Sequence, residues 1–208
     1  MRVTIATLLF GELSYFGYTE ALNRRYCELH HYRFEIIRPK EQIERSPIWF
    51  KVQGARELLV DCDYLMFLDA DAYFIDYRQS IEAFANLHMG NAALVLGSDR
   101  RDKTMGWSDV DANCGVFLLR NCREAFEILT AWWESPLRDK KRLWAWPPEQ
   151  GAFNTHIRTG PYSPWIKVID YSYLNGTDGT FIRHLIGYSD EQRLNVLRQE
   201  VSCPIAAT

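Results

Sequence analysis

Two aspartates one residue apart, Asp69 and Asp71, close the apolar run Tyr64-Leu65-Met66-Phe67-Leu68, and apolar sequence resumes at once with Ala72-Tyr73-Phe74. Such a run reads as a buried strand. In an open α/β sheet, ligands gather at the carboxyl ends of the strands. Carboxylates placed there offer the oxygen donors that bind Mn²⁺ or Mg²⁺, and such an ion can in turn hold a diphosphate. The spacing alone says little, because Asp61-Cys62-Asp63 and Asp109-Val110-Asp111 repeat it. Only Asp69 and Asp71 stand at the end of a strand-like run. Two buried like charges are unfavourable without a counter-ion. Asp69→Asn or Asp71→Asn is therefore expected to abolish any metal-dependent turnover and to relieve the metal-free protein.

The elements that must carry this pair alternate in type. Strands are expected at Val3–Leu9, Phe34–Ile37, Tyr64–Leu68, Ala92–Leu96, Gly115–Leu119 and Ile166–Ile169. Helices are expected from Tyr18 to His31, with Leu22, Tyr26 and Leu29 on one face, and after Ser46-Pro47, with Val52, Ala55 and Leu59 buried. Further helices are expected at Cys122–Trp133, Glu149–Ile157 and Asp190–Val201. Alternating β and α elements predict an α/β fold with a mostly parallel central sheet flanked by helices. The polar stretch from Gly97 to Asp111 lacks periodicity and is expected to be a loop at the active site. No repeat or linker divides the 208 residues, so a single domain, 1–208, is expected.

Composition narrows the function classes. The chain is 47% hydrophobic and 25% charged with a net charge of −3, which disfavours a nucleic-acid partner. Five cysteines, Cys27, Cys62, Cys114, Cys122 and Cys203, form no close pair, which argues against both a disulfide framework and a zinc site. The opening Met1–Phe10 is a better first strand than a signal peptide, and no stretch is long enough to span a membrane. A cytoplasmic location is expected. Asn175-Gly176-Thr177 is read as a turn rather than a glycosylation site. Trp107, Trp144, Trp146, Tyr162, Trp165, Tyr171 and Tyr173 fall in loop-like segments. They suit either packing at the rim of a sheet or stacking on sugar rings.

Four ordered patches, spread over nearly the whole chain, resemble the GT-A glycosyltransferases. The likeness is to the glycogenin-like group, and to the group that holds plant xyloglucan xylosyltransferases and fungal galactosyl- and mannosyltransferases. In its general look the chain is also similar to the amino-terminal domain of a chlorella-virus enzyme that glycosylates capsid protein. The first patch is Thr7-Leu8 with Tyr15, where the family contacts the nucleoside and stacks a ring on uracil; core packing is the alternative for Tyr15. The second is Trp49-Phe50-Lys51 with Arg56, similar to a lysine-bearing helix that approaches the donor. The third is Asp69-Ala70-Asp71, for which the family supplies a histidine as third metal ligand; His184 in Arg183-His184-Leu185-Ile186-Gly187 matches it. Gly187 would let a backbone amide approach a phosphate. The fourth joins Asn113-Cys114-Gly115, passing beneath the donor sugar, to Glu149-Gln150-Gly151, a helix start expected to face the anomeric carbon. At that helix start a pure capping role for Glu149 is the alternative.

One feature departs from the pattern. The family commonly has a lysine shortly after the glycine, and this chain has Tyr188-Ser189-Asp190, leaving Arg183 or Arg193 as substitutes. The resemblance implies transfer of a hexosyl-type sugar from a UDP-linked donor to a hydroxyl of a glycan or glycoprotein, with retention. Asp109, Asp111 or Glu149 could equally serve as the base of an inverting enzyme. Two other classes stand beside it: a haloacid-dehalogenase-like phosphohydrolase using Asp69 and Asp71, and a non-catalytic carbohydrate-binding protein. Ala72-Tyr73 after the pair, and two complete βα units before it, weigh against the phosphohydrolase.

Overall fold

Alternate side chains of each central strand enter opposite cores, because successive residues of a strand point to opposite faces. From β1 (Val3–Leu8), Ala6 and Leu8 face one core while Val3 and Ile5 face the other. From β3 (Tyr64–Leu68), Leu65 and Phe67 join the first and Met66 and Leu68 the second. A sheet covered on both sides explains why these strands read as continuous apolar runs. The computed structural model describes residues 1–39, 44–99 and 111–202.

Six strands form the main sheet in the order β2-β1-β3-β6-β5-β7, with β2 at Arg33–Ile37, β5 at Leu94–Ser98, β6 at Ala112–Arg120 and β7 at Ile166–Ile169. The β1–β2, β1–β3 and β5–β7 pairs are parallel. β6 alone runs against its neighbours β3 and β5. The expectation of a mostly parallel α/β sheet holds. Helices α1 (Phe16–His30) and α3 (Ile81–His88) contribute Tyr26, Phe84 and Ala85 to one core. Helices α2 (Phe50–Leu59) and α4 (Arg123–Glu134) contribute Val52, Ala55, Ile128 and Trp132 to the other.

Several local expectations are corrected. Leu29 lies in the last turn of α1 and is exposed; the buried stripe of that helix is instead Phe16, Thr19, Leu22, Asn23, Tyr26 and Cys27. Pro47 opens a 3₁₀ turn, Pro47–Trp49, that leads into α2, and Ser46 makes no side-chain cap bond. The helix expected at Glu149–Ile157 is a short α5 (Pro148–Ala152) continued by a π-helical turn, Phe153–Ile157. α3 and a two-stranded antiparallel ribbon, β4 (Ala72–Phe74) with β8 (Ile182–His184), are not among the elements expected from the sequence. The terminal helix α6 (Asp190–Ser202) packs against α1. Among the described residues, no helix is long and apolar enough to cross a membrane.

Candidate active site

The Asp69–Ala70–Asp71 turn is held from four directions. Asp69 N donates to Gly115 O on β6 (2.6 Å), and Ala72 N donates back to Asp69 O (2.9 Å). Leu185 N donates to Asp71 O (3.1 Å). Two buried side chains of α1 close the frame. Thr19 Oγ1 donates to Ala70 O (2.7 Å), while Asn23 donates to Ala72 O (3.0 Å) and accepts from Phe74 N (3.2 Å). A turn fixed in this way points both carboxylates to one place at the carboxyl edge of β1 and β3. The β4–β8 register sets Ala72 opposite His184, which brings the histidine to the same place.

His184 Nε2 lies 3.1 Å from Asp71 Oδ1 and 4.0 Å from Asp69 Oδ2. Its Nδ1 stands 3.4 Å from Asn175 Oδ1, and Asn175 Nδ2 reaches Ser98 O (3.4 Å). Asn175 is thus a buried orienting residue. Gly115 is required beneath this group, because a Cβ there would collide with His184 Cε1 and come within 2.8 Å of Asp69 Oδ2. Gly187 adopts a left-handed φ of 76°, a conformation that favours glycine.

Each aspartate already has cationic partners within the protein. Lys51 Nζ lies 2.7 Å from Asp69 Oδ1, 3.1 Å from Glu149 Oε1 and 3.3 Å from Cys114 O. The lysine is 1% exposed. Burial works against its charge, but Asp69 and Glu149 outweigh it and hold the ammonium above its ordinary pKa. Asp71 Oδ2 accepts from Arg193 Nε (3.0 Å), and Arg193 Nη2 stands 2.8 Å from the same oxygen. Burial alone would raise the Asp71 carboxyl; His184 and then Arg193 pull it down to about 2. The expectation that Asp71→Asn relieves the metal-free protein therefore reverses, because the counter-ions are built in. Two carboxylates and an imidazole are suitable donors for Mn²⁺ or Mg²⁺. Among the described residues, however, no three His, Cys, Asp or Glu side chains stand ready as a ligand shell.

Glu149, at the start of α5, is 3% exposed. Its Oε2 has no hydrogen-bond partner. Burial pushes its carboxyl up, Lys51 pulls it down and Asp69 pushes it up again, leaving it above the ordinary value. Gln150 is tied on both ends: its oxygen accepts from Cys114 N (3.0 Å) and its amide donates to Asp99 Oδ2 (3.0 Å). Asn113 likewise donates to Asp99 Oδ1 (3.3 Å) and accepts from Gly115 N (2.8 Å). Asp99 is the residue that sequence reasoning missed. Its signal matched that of Asp69, since it ends the apolar run of β5.

These residues line a cleft of about 470 Å³. Leu8, Ala70, Asn113 and Gly187 line it, together with Asp69, Asp71, Glu149, Gln150 and His184; Tyr15 lines it too, but is 5% exposed and packs in a core with Leu22, Tyr73 and Leu185. Phe10, Trp146 and Arg193 line it as well. Among the described loop aromatics, Trp146 alone lines the cleft, and it is 79% exposed. Lys51 sits beneath the floor rather than in the wall, and Thr7 is buried in β1. Arg56 is a correction: it borders a separate groove with Val52, Val60 and Trp133. Five residues along a helix place it about 140° around the axis from Lys51. Asp111 bonds Arg158 (3.1 Å) outside the cleft, and Asp109, Trp107 and Cys203 lie outside the described residues. A larger groove of about 690 Å³ runs along α4, away from the carboxylates.

No family model matches the chain. Over 121 residues it is 27% identical to xyloglucan 6-xylosyltransferase 4 of Arabidopsis thaliana, a match spanning 57% of this chain and 23% of that protein. It is also 27% identical over 123 residues to probable glycosyltransferase 3 of Oryza sativa subsp. japonica, spanning 57% and 25%. The chain thus matches about a quarter of the length of these relatives. A glycosyltransferase involved in glycosylation of the major capsid of PBCV-1 superposes with a TM-score of 0.73 at 21% identity, over 96% of this chain and all of that one. The galactosyltransferase LgtC, solved with donor and acceptor sugar analogues, superposes with a TM-score of 0.53 at 13% identity, over 99% and 98%. The glycosyltransferase GlyE of Streptococcus pneumoniae TIGR4 gives 0.61 at 11%, over 98% and 61%. The superpositions establish that the chain has the GT-A glycosyltransferase fold.

Proposed function

We propose that the protein is a metal-dependent glycosyltransferase. It would move a hexosyl-type sugar from a UDP-linked donor to a hydroxyl of a glycan or glycoprotein, with retention of configuration. The observation that carries this reading is the convergence of Asp69, Asp71 and His184 in the cleft of a GT-A fold that Tyr15 and Glu149 also line. Asp69, Asp71 and His184 would hold Mn²⁺ or Mg²⁺, which supplies charge neutralisation for the departing diphosphate.

The protein's own side chains account for the rest. Tyr15 offers a ring to the base, and the Gly187 backbone approaches the phosphates. Asp99 and Asn113 present polar atoms to the sugar hydroxyls from the cleft wall. Glu149 faces the anomeric carbon with a carboxylate oxygen free of hydrogen bonds. Its negative charge stabilises the positive charge that grows on that carbon, or it adds there as the bond to the diphosphate breaks. Where it adds, the acceptor hydroxyl then displaces it and gives its proton to the departed diphosphate, and the two displacements return the original configuration. Gln150 fixes the start of α5 against β6 and Asp99 rather than reaching out.

A thermal-shift screen of nucleotide sugars tests the reading, because a ligand that binds only the native state raises its melting temperature. UDP-sugars should stabilise the protein with Mn²⁺ and not with EDTA. Stabilisation by free sugars alone would instead favour the carbohydrate-binding class, and phosphate release from simple phosphomonoesters the phosphohydrolase.

A further inference from the structure

We infer that Arg193 is an internal counter-ion of the metal site. It holds Asp71 in the metal-free protein and passes to the donor's diphosphate when a divalent cation takes Asp71 over. This inference rests on the reading of the cleft as a nucleotide-sugar site.

Both oxygens of Asp71 are engaged within the protein, Oδ1 by His184 and Oδ2 by Arg193. A cation that takes up Oδ2, alone or together with Oδ1, must displace the guanidinium. Arginine keeps its charge at any ordinary pH, so Arg193 can yield only by moving. Its side chain is 17% exposed and lines the cleft. Its Nη1 lies 3.2 Å from Asp190 Oδ1, and the guanidinium carbon is 5.1 Å from the centre of the Tyr15 ring. The Asp190 contact and the ring form a pivot that keeps the group at the cleft once Asp71 is released.

No other arginine or lysine among the described residues lines this cleft. Arg183 is paired with Glu200 and does not reach it, and Lys51 is sealed below the floor. A planar guanidinium presents two parallel donors to phosphate oxygens. Arg193 therefore has a second anionic partner of the right chemistry as soon as a diphosphate arrives. The exchange makes metal and nucleotide binding cooperative. Metal alone must displace Arg193 without compensation, whereas metal with a diphosphate gives the guanidinium a new partner.

Titration of Mn²⁺ by electron paramagnetic resonance, without nucleotide and then with UDP, tests this on the wild type, Arg193→Gln and Arg193→Lys. One charge-assisted contact corresponds to about tenfold in affinity. Arg193→Gln should bind Mn²⁺ alone about tenfold more tightly than the wild type, and should bind UDP with saturating Mn²⁺ about tenfold more weakly. Arg193→Lys, which keeps the charge but not the fork, should fall between them and serves as the comparison if the glutamine variant does not fold. Unchanged or weaker Mn²⁺ binding in the variants, or unchanged UDP affinity, overturns the exchange while leaving the nucleotide site standing if UDP binding still needs Mn²⁺. Absence of Mn²⁺ binding in every protein, with and without UDP, overturns both.

Discussion

Glu149 combines burial, a lysine partner on one oxygen and no partner on the other. Its folded pKa lies above the ordinary glutamate value. A carboxyl raised by folding contributes its full stability below its unfolded pKa and loses it as pH rises through the folded one. Glu149→Gln should therefore melt higher than the wild type at neutral pH, with the gap closing as pH falls toward 4.5, while turnover drops by orders of magnitude. Melting curves across that range, beside turnover and UDP affinity, check it; a variant that melts lower but keeps its turnover would reduce Glu149 to a helix-start charge. Asp71 behaves in the opposite sense. Removing its charge leaves Arg193 with the exposed Asp190 as its carboxylate partner, and a contact to a charged group is worth about 1.5–3 kcal/mol. Asp71→Asn should destabilise the metal-free protein by about that amount in urea denaturation; a stabilised variant would show that the carboxylates repel each other despite Lys51 and Arg193.

At the level of elements, the carboxylate turn depends on α1 more than on its own strand. Asn23 is 2% exposed and satisfies backbone groups at both ends of β4. Asn23→Ala leaves a buried carbonyl and a buried amide without partners, a loss of about 1–3 kcal/mol. Denaturant melts should show it, and nucleotide affinity should fall with it because the Asp69–Asp71 turn loosens; a loss below about 0.5 kcal/mol would mean that β4 stands without this bridge. None of this framing was visible in the chain, since a buried polar residue on a helix carries no signal until its partner is known. The long apolar runs were legible because a strand covered on both faces needs them. β4 and β8, three residues each, were too short for any periodicity. α3 does carry the helical pattern, with Ile81, Phe84, Ala85 and His88 buried behind a Ser80 cap. Lys51 and Arg56 were legible as charges on a helix, but their different fates depend on which face of α2 meets the sheet.

For the molecule as a whole, alternation of strands and helices announced a parallel sheet but not the reversal of β6, because its link to β5 runs through residues 100–110. The order β2-β1-β3-β6-β5-β7 sets the ends of β1 and β3 beside the start of β6. That juxtaposition explains why Leu8, Asp69, Asn113 and Glu149, distant in sequence, share one cleft. The patterned positions Asp69, Asp71, His184, Asn113 and Glu149 all converge there; Asp99 carried the same strand-end signal as Asp69, whereas the Arg193 contact with Asp71 needed the fold to be seen. The central claim is that this cleft takes a nucleoside diphosphate together with a divalent cation. Isothermal titration of UDP into the wild-type protein, once with Mn²⁺ and once with EDTA, tests it directly. Binding with Mn²⁺ and none with EDTA is the predicted result, and equal affinity in the two buffers would contradict it.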